Sequence, residues 1–394
     1  MTSADFYKVK KPTKWATVPD VFSYSSLNAI KRCPLQWQLA HSKYGDDEQL
    51  FPFRPAPSAV EGDIVHTILE RLFRALSLQG LPKLGSPDFR ECIQHLNAKK
   101  TVEGLVKKHK ERIAAHPRGN GFRLRLTSQQ LTNKVIRIFR QQYPQVVENG
   151  FDLSSTQKLA CQKMESDETL DPGYLLNKYG LLSEYKLKHP NIPFVGVLDF
   201  VCLDNGQTVI VDFKTGKQDE DHLRQLLYYA ILWWRASGQV PNRIEVRYPG
   251  NVESFFPTKR DLKNAERELA SEIAFSVQAL SMKPAKPSLG DHCNFCDVRQ
   301  FCESYWLDLR KISFDDFHSD TMLDLEIVVS EQPSDYGFDA RTFDGEGISV
   351  VFRRETACIQ SPFIAGERIR ILGAFYKCEN GEIELKPWSE VFRV

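Results

Sequence analysis

Two predicted strands joined by a two-residue turn constrain the fold of this chain more than any other feature. Segments 194–203 and 207–214 read as strands, and Asn205-Gly206 stands between them. This dipeptide is typical of a type I′ turn, in which both central residues need a positive φ. The sequence therefore predicts an antiparallel hairpin, with further strands at 181–188, 243–248 and 252–256.

The hairpin brings acidic and basic side chains together. Asp199 follows Gly196 on the first strand, whereas Asp212, Phe213 and Lys214 lie on the second. Because strand residues alternate between faces, Asp212 and Lys214 share one face, and Asp212 can approach Asp199 across the turn. Both carboxylates and the backbone carbonyl of Phe213 could hold Mg²⁺, with Lys214 beside the attacking water or a phosphate. An Asp-x-Lys sequence is by itself more often an exposed ion pair, so its neighbours decide its meaning.

Two predicted helices carry further polar side chains. Apolar residues recur at helical spacing from 61 to 76, and His66 and Glu70 share the opposite face. A second helix, at about 221–235, places Gln225 and Tyr229 on one face, where they could hydrogen-bond the site or a DNA backbone. Mn²⁺ accepts an imidazole as well as carboxylates. A lone histidine or tyrosine on a helix is otherwise more often structural.

The cysteines suggest a second site. Cys293, Cys296 and Cys302 form a C-x2-C-x5-C pattern, and Cys33, followed by Pro34, lies far earlier in the chain. Four thiolates bind either tetrahedral zinc or a [4Fe-4S] cluster, and spacing alone does not distinguish them. The nine cysteines are an odd number, which argues against a disulfide framework. The other five are predicted to be small buried hydrophobic residues: Cys92, Cys161, Cys202, Cys358 and Cys378.

The charges are unevenly distributed, although the net charge is only +1. Between Lys99 and Arg140 there are 12 Lys or Arg residues and two acids, whereas 312–350 holds ten acids and one base. The asymmetry suggests a first half that faces phosphates and a tail that faces a partner, although such runs often only solvate helices. The chain has no Gly-x4-Gly-Lys-Ser/Thr loop, so nucleotide hydrolysis through a Walker site is not expected.

Three short motifs together resemble those of the RecB-like nucleases in the PD-(D/E)xK superfamily, namely Gly196-x-x-Asp199, Asp212-x-Lys214 and Gln225-x3-Tyr229. The resemblance implies a DNA nuclease that depends on Mg²⁺ or Mn²⁺. It also implies that His66 adds a nitrogen ligand to the metal and that Glu184, on the preceding strand, lines the catalytic site.

The cysteine pattern resembles that of AddB-type and CRISPR-associated iron-sulfur nucleases, because an early Cys-Pro precedes a late C-x2-C-x5-C. The resemblance implies a [4Fe-4S] cluster on four cysteines: Cys33, Cys293, Cys296 and Cys302. Such a cluster would join the two ends of the nuclease domain and offset the entropy of closing a long loop. We expect a structural role for it, not electron transfer.

The patterns of strands and helices predict a mixed α/β protein, and the resemblance implies a PD-(D/E)xK sheet flanked by helices. We expect a flexible basic arm at 1–20, an iron-sulfur nuclease domain at 21–310 with a helical insertion at 67–180, and a small OB-like β-barrel domain at 311–394. Because no signal peptide or membrane-spanning stretch is recognisable, a cytoplasmic location is expected.

The expected activity is exonucleolytic, end-processing or flap-processing hydrolysis of DNA, in repair, recombination or anti-phage defence. The C-terminal domain would then be available to a helicase or another protein subunit. One alternative is a catalytically silent subunit that binds DNA or organises a complex, which usually lacks a carboxylate or the lysine; both are present here. Another is a zinc-stapled scaffold in which the Asp-x-Lys sequence is accidental.

Overall fold

A computed structural model describes residues 7–78, 82–147, 171–214, 218–248, 250–310, 314, 317–331, 334, 336–352 and 364–394. Cys161, Cys358, the side chain of Cys92 and residues 1–6 of the predicted arm lie outside this description. Cys202 is buried as predicted, and Cys378 is half-buried. No helix among the described residues is long and apolar enough to cross a membrane.

The helices of the N-terminal three quarters begin mostly at side-chain caps. The capping box predicted at Thr258 is present, and Ser23 forms another. In chain order the helices are α1 Tyr24–Arg32, α2 Pro34–His41, α3 Pro57–Leu78, α4 Pro87–Leu96, α5 Ala98–Ala114, α6 Ser128–Val147, α7 Pro172–Tyr179, α8 Glu220–Ser237, α9 Lys259–Ala279 and α10 Glu303–Leu309.

A five-stranded mixed sheet forms the centre of the protein, as predicted. Its strands are β3 Leu181–Lys188, β4 Val195–Asp204, β5 Gln207–Phe213, β6 Arg243–Tyr248 and β7 Asn251–Phe255. They are hydrogen-bonded in chain order, with β5 and β6 parallel and the other pairs antiparallel. Asn205 and Gly206 have φ values of 50° and 77°, which confirms the predicted turn. A separate two-stranded sheet pairs β1 Lys43–Tyr44 with β2 Gln49–Leu50.

Helices cover both faces of the central sheet. On one face, α8 and α9 bury apolar side chains together with α1 and α7. On the other, α3, α5 and α6 pack against Phe200, Cys202, Val209 and Val211 of the sheet. The two helical layers and the sheet form an α/β/α sandwich, and α7, although it falls within the predicted insertion at 67–180, packs on the face opposite α5 and α6.

The C-terminal strands close into a small β-barrel. They are β8 Thr321–Val329, β9 Gly337–Arg341, β10 Gly347–Phe352, β11 Arg368–Lys377, β12 Glu382–Leu385 and β13 Glu390–Arg393. The ring runs β8-β9-β10-β12-β11 and closes because β11 also pairs with β8, whereas β13 extends it from β11. The β10 and β12 strands are parallel. The predicted barrel is thus present, and Asn380-Gly381 lies in its β11–β12 turn.

The start and the end of the chain share one hydrophobic core. Tyr7 is buried against Phe392 of β13, with ring centroids 5.3 Å apart, although residues 7–16 belong to the predicted arm. The same core contains α2 residues, Phe51 and Trp306 of α10. Because these side chains come from opposite ends of the sequence, nothing local to residues 7–16 indicates that they pack.

A buried arginine holds the barrel to the rest of the molecule. Arg118 follows α5, and its Nε and Nη2 donate to the two carboxylate oxygens of Glu390 on β13 at 2.8 and 2.9 Å. Its Nη1 donates to the carbonyl oxygens of Pro52 and Asp297 at 3.1 and 2.7 Å. Burial alone would raise the pKa of Glu390, but Arg118 and Arg54 lower it below its ordinary value. The carboxylate therefore stays ionised inside the protein.

We predict that Glu390→Gln lowers the free energy of unfolding by about 3–5 kcal/mol, because it leaves the buried Arg118 charge with only the more distant Asp297 carboxylate, 3.7 Å away, as a counter-ion. Urea denaturation at neutral pH measures the loss. The control is Glu48→Gln, which removes an exposed ion pair with Lys14 and should cost under about 1 kcal/mol. Equal effects of the two substitutions would contradict the proposed importance of the buried pair.

Candidate active site

A half-buried carboxylate, Asp199, and a buried one, Asp212, lie side by side where β4 and β5 diverge. Asp199 Oδ2 accepts a hydrogen bond from the backbone N–H of Phe213 at 3.2 Å, so the two strands hold its carboxylate in place. Asp212 is 2% exposed, and its Oδ2 lies 2.9 Å from Lys214 Nζ. Despite that contact, no donor among the described residues forms a hydrogen bond of good geometry to this oxygen. Asp212 Oδ2 is therefore a buried acceptor that has an ion-pair partner but no hydrogen-bond donor.

The two carboxylates repel each other. Burial, followed by the charge of Asp212, raises the pKa of Asp199 to about 7. Ionisation of both adjacent carboxylates in a desolvated site costs free energy unless a cation lies between them. A divalent cation with hard oxygen ligands would remove the repulsion and use the open oxygen of Asp212. The residues therefore fit the expected Mg²⁺ or Mn²⁺.

The sheet is distorted beside the carboxylates. Glu184 on β3 has φ = 50°, in the left-handed region that is costly for a residue with a side chain. It lies opposite Asp199, between the paired residues Ser183 and Tyr185. Burial raises the pKa of Glu184, and the charges of Glu70 and Asp212 add to the effect. Glu184 therefore lies close to other acids, and its backbone conformation is strained.

His66 approaches the carboxylates from α3. It lines one crevice with Glu70, Glu184, Asp199 and Phe213. Burial lowers the pKa of His66, and Lys214 and Lys134 lower it further against the opposing effect of Asp212. A neutral imidazole keeps a lone pair for a metal ion. Sequence reasoning placed Glu70 on the same helical face as His66 but gave it no role.

Lys214 is held by the two polar residues of α8. Its Nζ donates to Gln225 Oε1 at 2.9 Å, and Gln225 Nε2 donates to Tyr229 Oη at 2.8 Å. The helix can come this close because position 196 is glycine: a Cβ there would lie 2.7 Å from Cε1 of Tyr229. All three predicted motifs thus meet at one place.

An open cleft extends from Lys214 on the side opposite His66. Its walls include Ser23 and Asn28 of the α1 region, Lys186 of β3 and His222 of α8. His222 Nδ1 lies 2.9 Å from Tyr248 Oη, and its pKa is lowered by burial and by Lys214. Sequence reasoning did not include His222, although it stands three residues before Gln225 and so shares its helical face.

The four predicted cysteine ligands line a single cavity beside α2. Cys33 Sγ accepts hydrogen bonds from the backbone N–H groups of Gln36 at 3.4 Å and Ser288 at 3.5 Å. Burial raises the pKa of the Cys296 thiol to about 12, and the neighbouring Cys33 adds to this. The cysteines from distant parts of the chain therefore meet, and burial favours the protonated form of the Cys296 and Cys302 thiols.

The predicted ligands of each site lie near one another, but their side chains are not arranged as they would be around a bound metal ion. In the part of the chain that the structure describes, no three His, Cys, Asp or Glu side chains form a ready-made metal-binding group. Both sets, at Asp199 and Asp212 and at the four cysteines, need side-chain adjustment to bind an ion.

Comparison with known proteins identifies one family. The family model described as the PD-(D/E)XK nuclease superfamily matches residues 21–303. No curated protein matches the chain. The matched residues 21–303 contain the three motifs, His66 and the four cysteines.

Two solved structures show slight similarity. "Crystal structure of the tetrameric p202 HIN2" is 14% identical over 21% of this chain and 48% of its own, with a TM-score of 0.18. "Crystal structure of SSO0001" is 14% identical over 34% of this chain and 64% of its own, with a TM-score of 0.22. The chain thus spans less than two thirds of each. Scores this low support no conclusion about fold or function.

We predict that Asp199 makes a contribution to the stability of the metal-free protein that is lost as the pH rises from about 4 to 7. Folded Asp199 keeps its proton up to about pH 7, whereas the unfolded chain releases it near 3.8, so Asp199 binds more protons in the native state in this interval. Urea denaturation in EDTA across this range should show that the stability of wild type falls relative to that of Asp199→Asn. Asp88→Asn, on the exposed start of α4, is the control and should retain the wild-type slope. Parallel curves for wild type and Asp199→Asn would contradict the prediction.

Proposed function

Because this chain belongs to the PD-(D/E)XK nuclease superfamily, we propose that it is a divalent-metal-dependent deoxyribonuclease that processes DNA ends or flaps. The observation that carries the proposal is the adjacent pair of half-buried Asp199 and buried Asp212, with Lys214 fixed beside it. Such a pair destabilises a protein that has no cation to bind, so a purely structural role does not account for it.

The proposed chemistry is hydrolysis of a phosphodiester bond. Asp199 and Asp212, with the carbonyl of Phe213 and the imidazole of His66, would hold Mg²⁺ or Mn²⁺. When bound, the ion supplies positive charge at the scissile phosphate and lowers the pKa of water. A water oxygen bonds to phosphorus, the bond to the leaving oxygen breaks, and that oxygen takes up a proton.

Lys214 would stabilise the attacking water or the charge on the phosphate. Its position supports this role, since Gln225 accepts from Nζ and Tyr229 in turn anchors the Gln225 amide. A lysine on a flexible side chain gains precision from such a fixed acceptor. Glu184 would line the site and add negative charge near the metal.

We further propose that this protein is related to the RecB- or AddB-like nucleases. It would carry a structural [4Fe-4S] cluster on four cysteines: Cys33, Cys293, Cys296 and Cys302. Four thiols around one cavity support this, as do backbone N–H groups directed at Cys33 Sγ. A cluster here would tie α2 to the segment that precedes α10, closing most of the nuclease domain into a loop.

The barrel is proposed to be OB-like, because five strands close with β10 parallel to β12. Its sequence is acidic, which disfavours a phosphate backbone on its surface. We therefore propose that it binds a protein subunit, for example a helicase, and that the complex acts in DNA repair, recombination or anti-phage defence.

We predict that Asp212→Asn and Lys214→Met each lower the rate of DNA cutting at least about 100-fold, since each removes charge stabilisation at the reacting phosphate. The assay uses single- and double-stranded DNA labelled at 5′ or 3′ ends, with Mg²⁺ or Mn²⁺ and protein purified without oxygen. Lys188→Met, exposed at the end of β3, is the control and should cut normally. A wild type that binds DNA but never cuts it would instead identify a silent binding subunit.

The cluster has its own prediction. Protein purified without oxygen should absorb near ~400 nm, as iron-sulfur proteins do, and Cys296→Ser should lose most of this absorbance and of the bound iron. Cys378→Ser, in the barrel, is the matched control and should keep both. A colourless protein that contains zinc would contradict the iron-sulfur proposal.

A further inference from the structure

Helix α6 presents one asparagine and three basic side chains, which we call the α6 ridge: Asn133, Lys134, Arg137 and Arg140. Arg137 lies three or four residues from each of the others, so the four side chains lie on one face of the helix. Arg137 and Arg140 are exposed and Lys134 is half-buried. The opposite face is buried against the sheet and α3, with Leu131, Val135 and Ile138 at 0, 0 and 3% exposure.

The ridge carries positive charge that no acid in the described part of the chain neutralises through an ion pair. Among the described residues, no acid forms an ion pair with any of its three cations: Lys134, Arg137 and Arg140. By contrast, Lys107 on neighbouring α5 lies 3.9 Å from Glu111. Asn133, Arg137 and Arg140 also line a shallow groove with Ile136. An uncompensated cationic groove is suited to an anionic partner.

The ridge lies in the same helical layer as His66. Helix α6 packs directly on α3, the helix that carries His66. A helix rises about 1.5 Å per residue, so Lys134 to Arg140 spans about 9 Å. That length matches two or three successive phosphates of one strand.

We infer that the α6 ridge binds the sugar-phosphate backbone of the substrate strand on one side of the bond to be cut. This inference rests on the proposed nuclease function and specifies where its substrate lies. Arg137 and Arg140 would each contact a phosphate, and Lys134 would bridge from the ridge to the metal site. Contacts of this kind position a strand without reading its sequence.

The test measures binding of a labelled 20-nucleotide single strand by fluorescence anisotropy, with Ca²⁺ in place of Mg²⁺, over a range of salt concentrations. The double variant Arg137→Gln/Arg140→Gln should bind about tenfold more weakly. Its plot of log K against log salt should be shallower by about 1.4, because each lost phosphate contact on single strands accounts for about 0.7. Both side chains are exposed, so a thermal melt by circular dichroism should show an intact fold.

Lys108→Gln/Lys110→Gln is the matched control, since it removes the same charge from exposed positions of α5. Wild-type affinity in the ridge variant, or an equal loss in the control, would overturn the inference. So would binding of polyglutamate, but not of DNA, that depends on Arg137 and Arg140, because the partner would then be an acidic protein. A wild type that binds through the ridge but does not cut would refute only the nuclease function.

Discussion

The burial of one guanidinium determines how the parts of this protein fit together. Arg118 is 3% exposed, and a charge removed from water must be neutralised and fully hydrogen-bonded. Its partners are Glu390 of the barrel and the carbonyls of Pro52 and Asp297, which belong to three distant parts of the sequence. If any of these segments moved away, the buried guanidinium would lose a hydrogen-bond acceptor. Since Asp297 directly follows Cys296, the same arginine locates the cysteine segment.

In the candidate active-site crevice, by contrast, neighbouring acidic side chains are not fully neutralised by basic ones. Asp199 and Asp212 repel each other, and Glu184 adds a third acid from a strained backbone. The surrounding sandwich, anchored by apolar side chains on both faces of the sheet, holds them together at a cost in stability. Binding of a cation converts that repulsion into affinity. A site of this kind is poised for an ion that the polypeptide itself does not supply.

The sequence predicted the features that depend on short spacings. The Asn205-Gly206 turn fixes the register that puts Asp199 beside Asp212, and the i, i+4 spacing of Gln225 and Tyr229 fixes their common face. The meeting of the cysteines was predicted only through family resemblance. Arg118 and Glu390 are 272 residues apart, and no local pattern marks either as half of a buried pair. The left-handed φ of Glu184 was equally unpredictable, since tertiary packing imposes it against the preference of the residue.

Basic and acidic residues are concentrated in different parts of the chain, so the near-zero net charge says little about function. The bases gather on the helical layer next to His66, whereas the acids gather on the barrel, whose buried Arg299–Asp324 pair fastens it to the cysteine segment. A phosphate backbone is therefore attracted to one region and repelled by another within the same chain. The barrel, which would compete for a phosphate backbone if it were basic, is acidic instead. Through Arg299 and Asp324, the barrel is joined to the segment that holds the late cysteines.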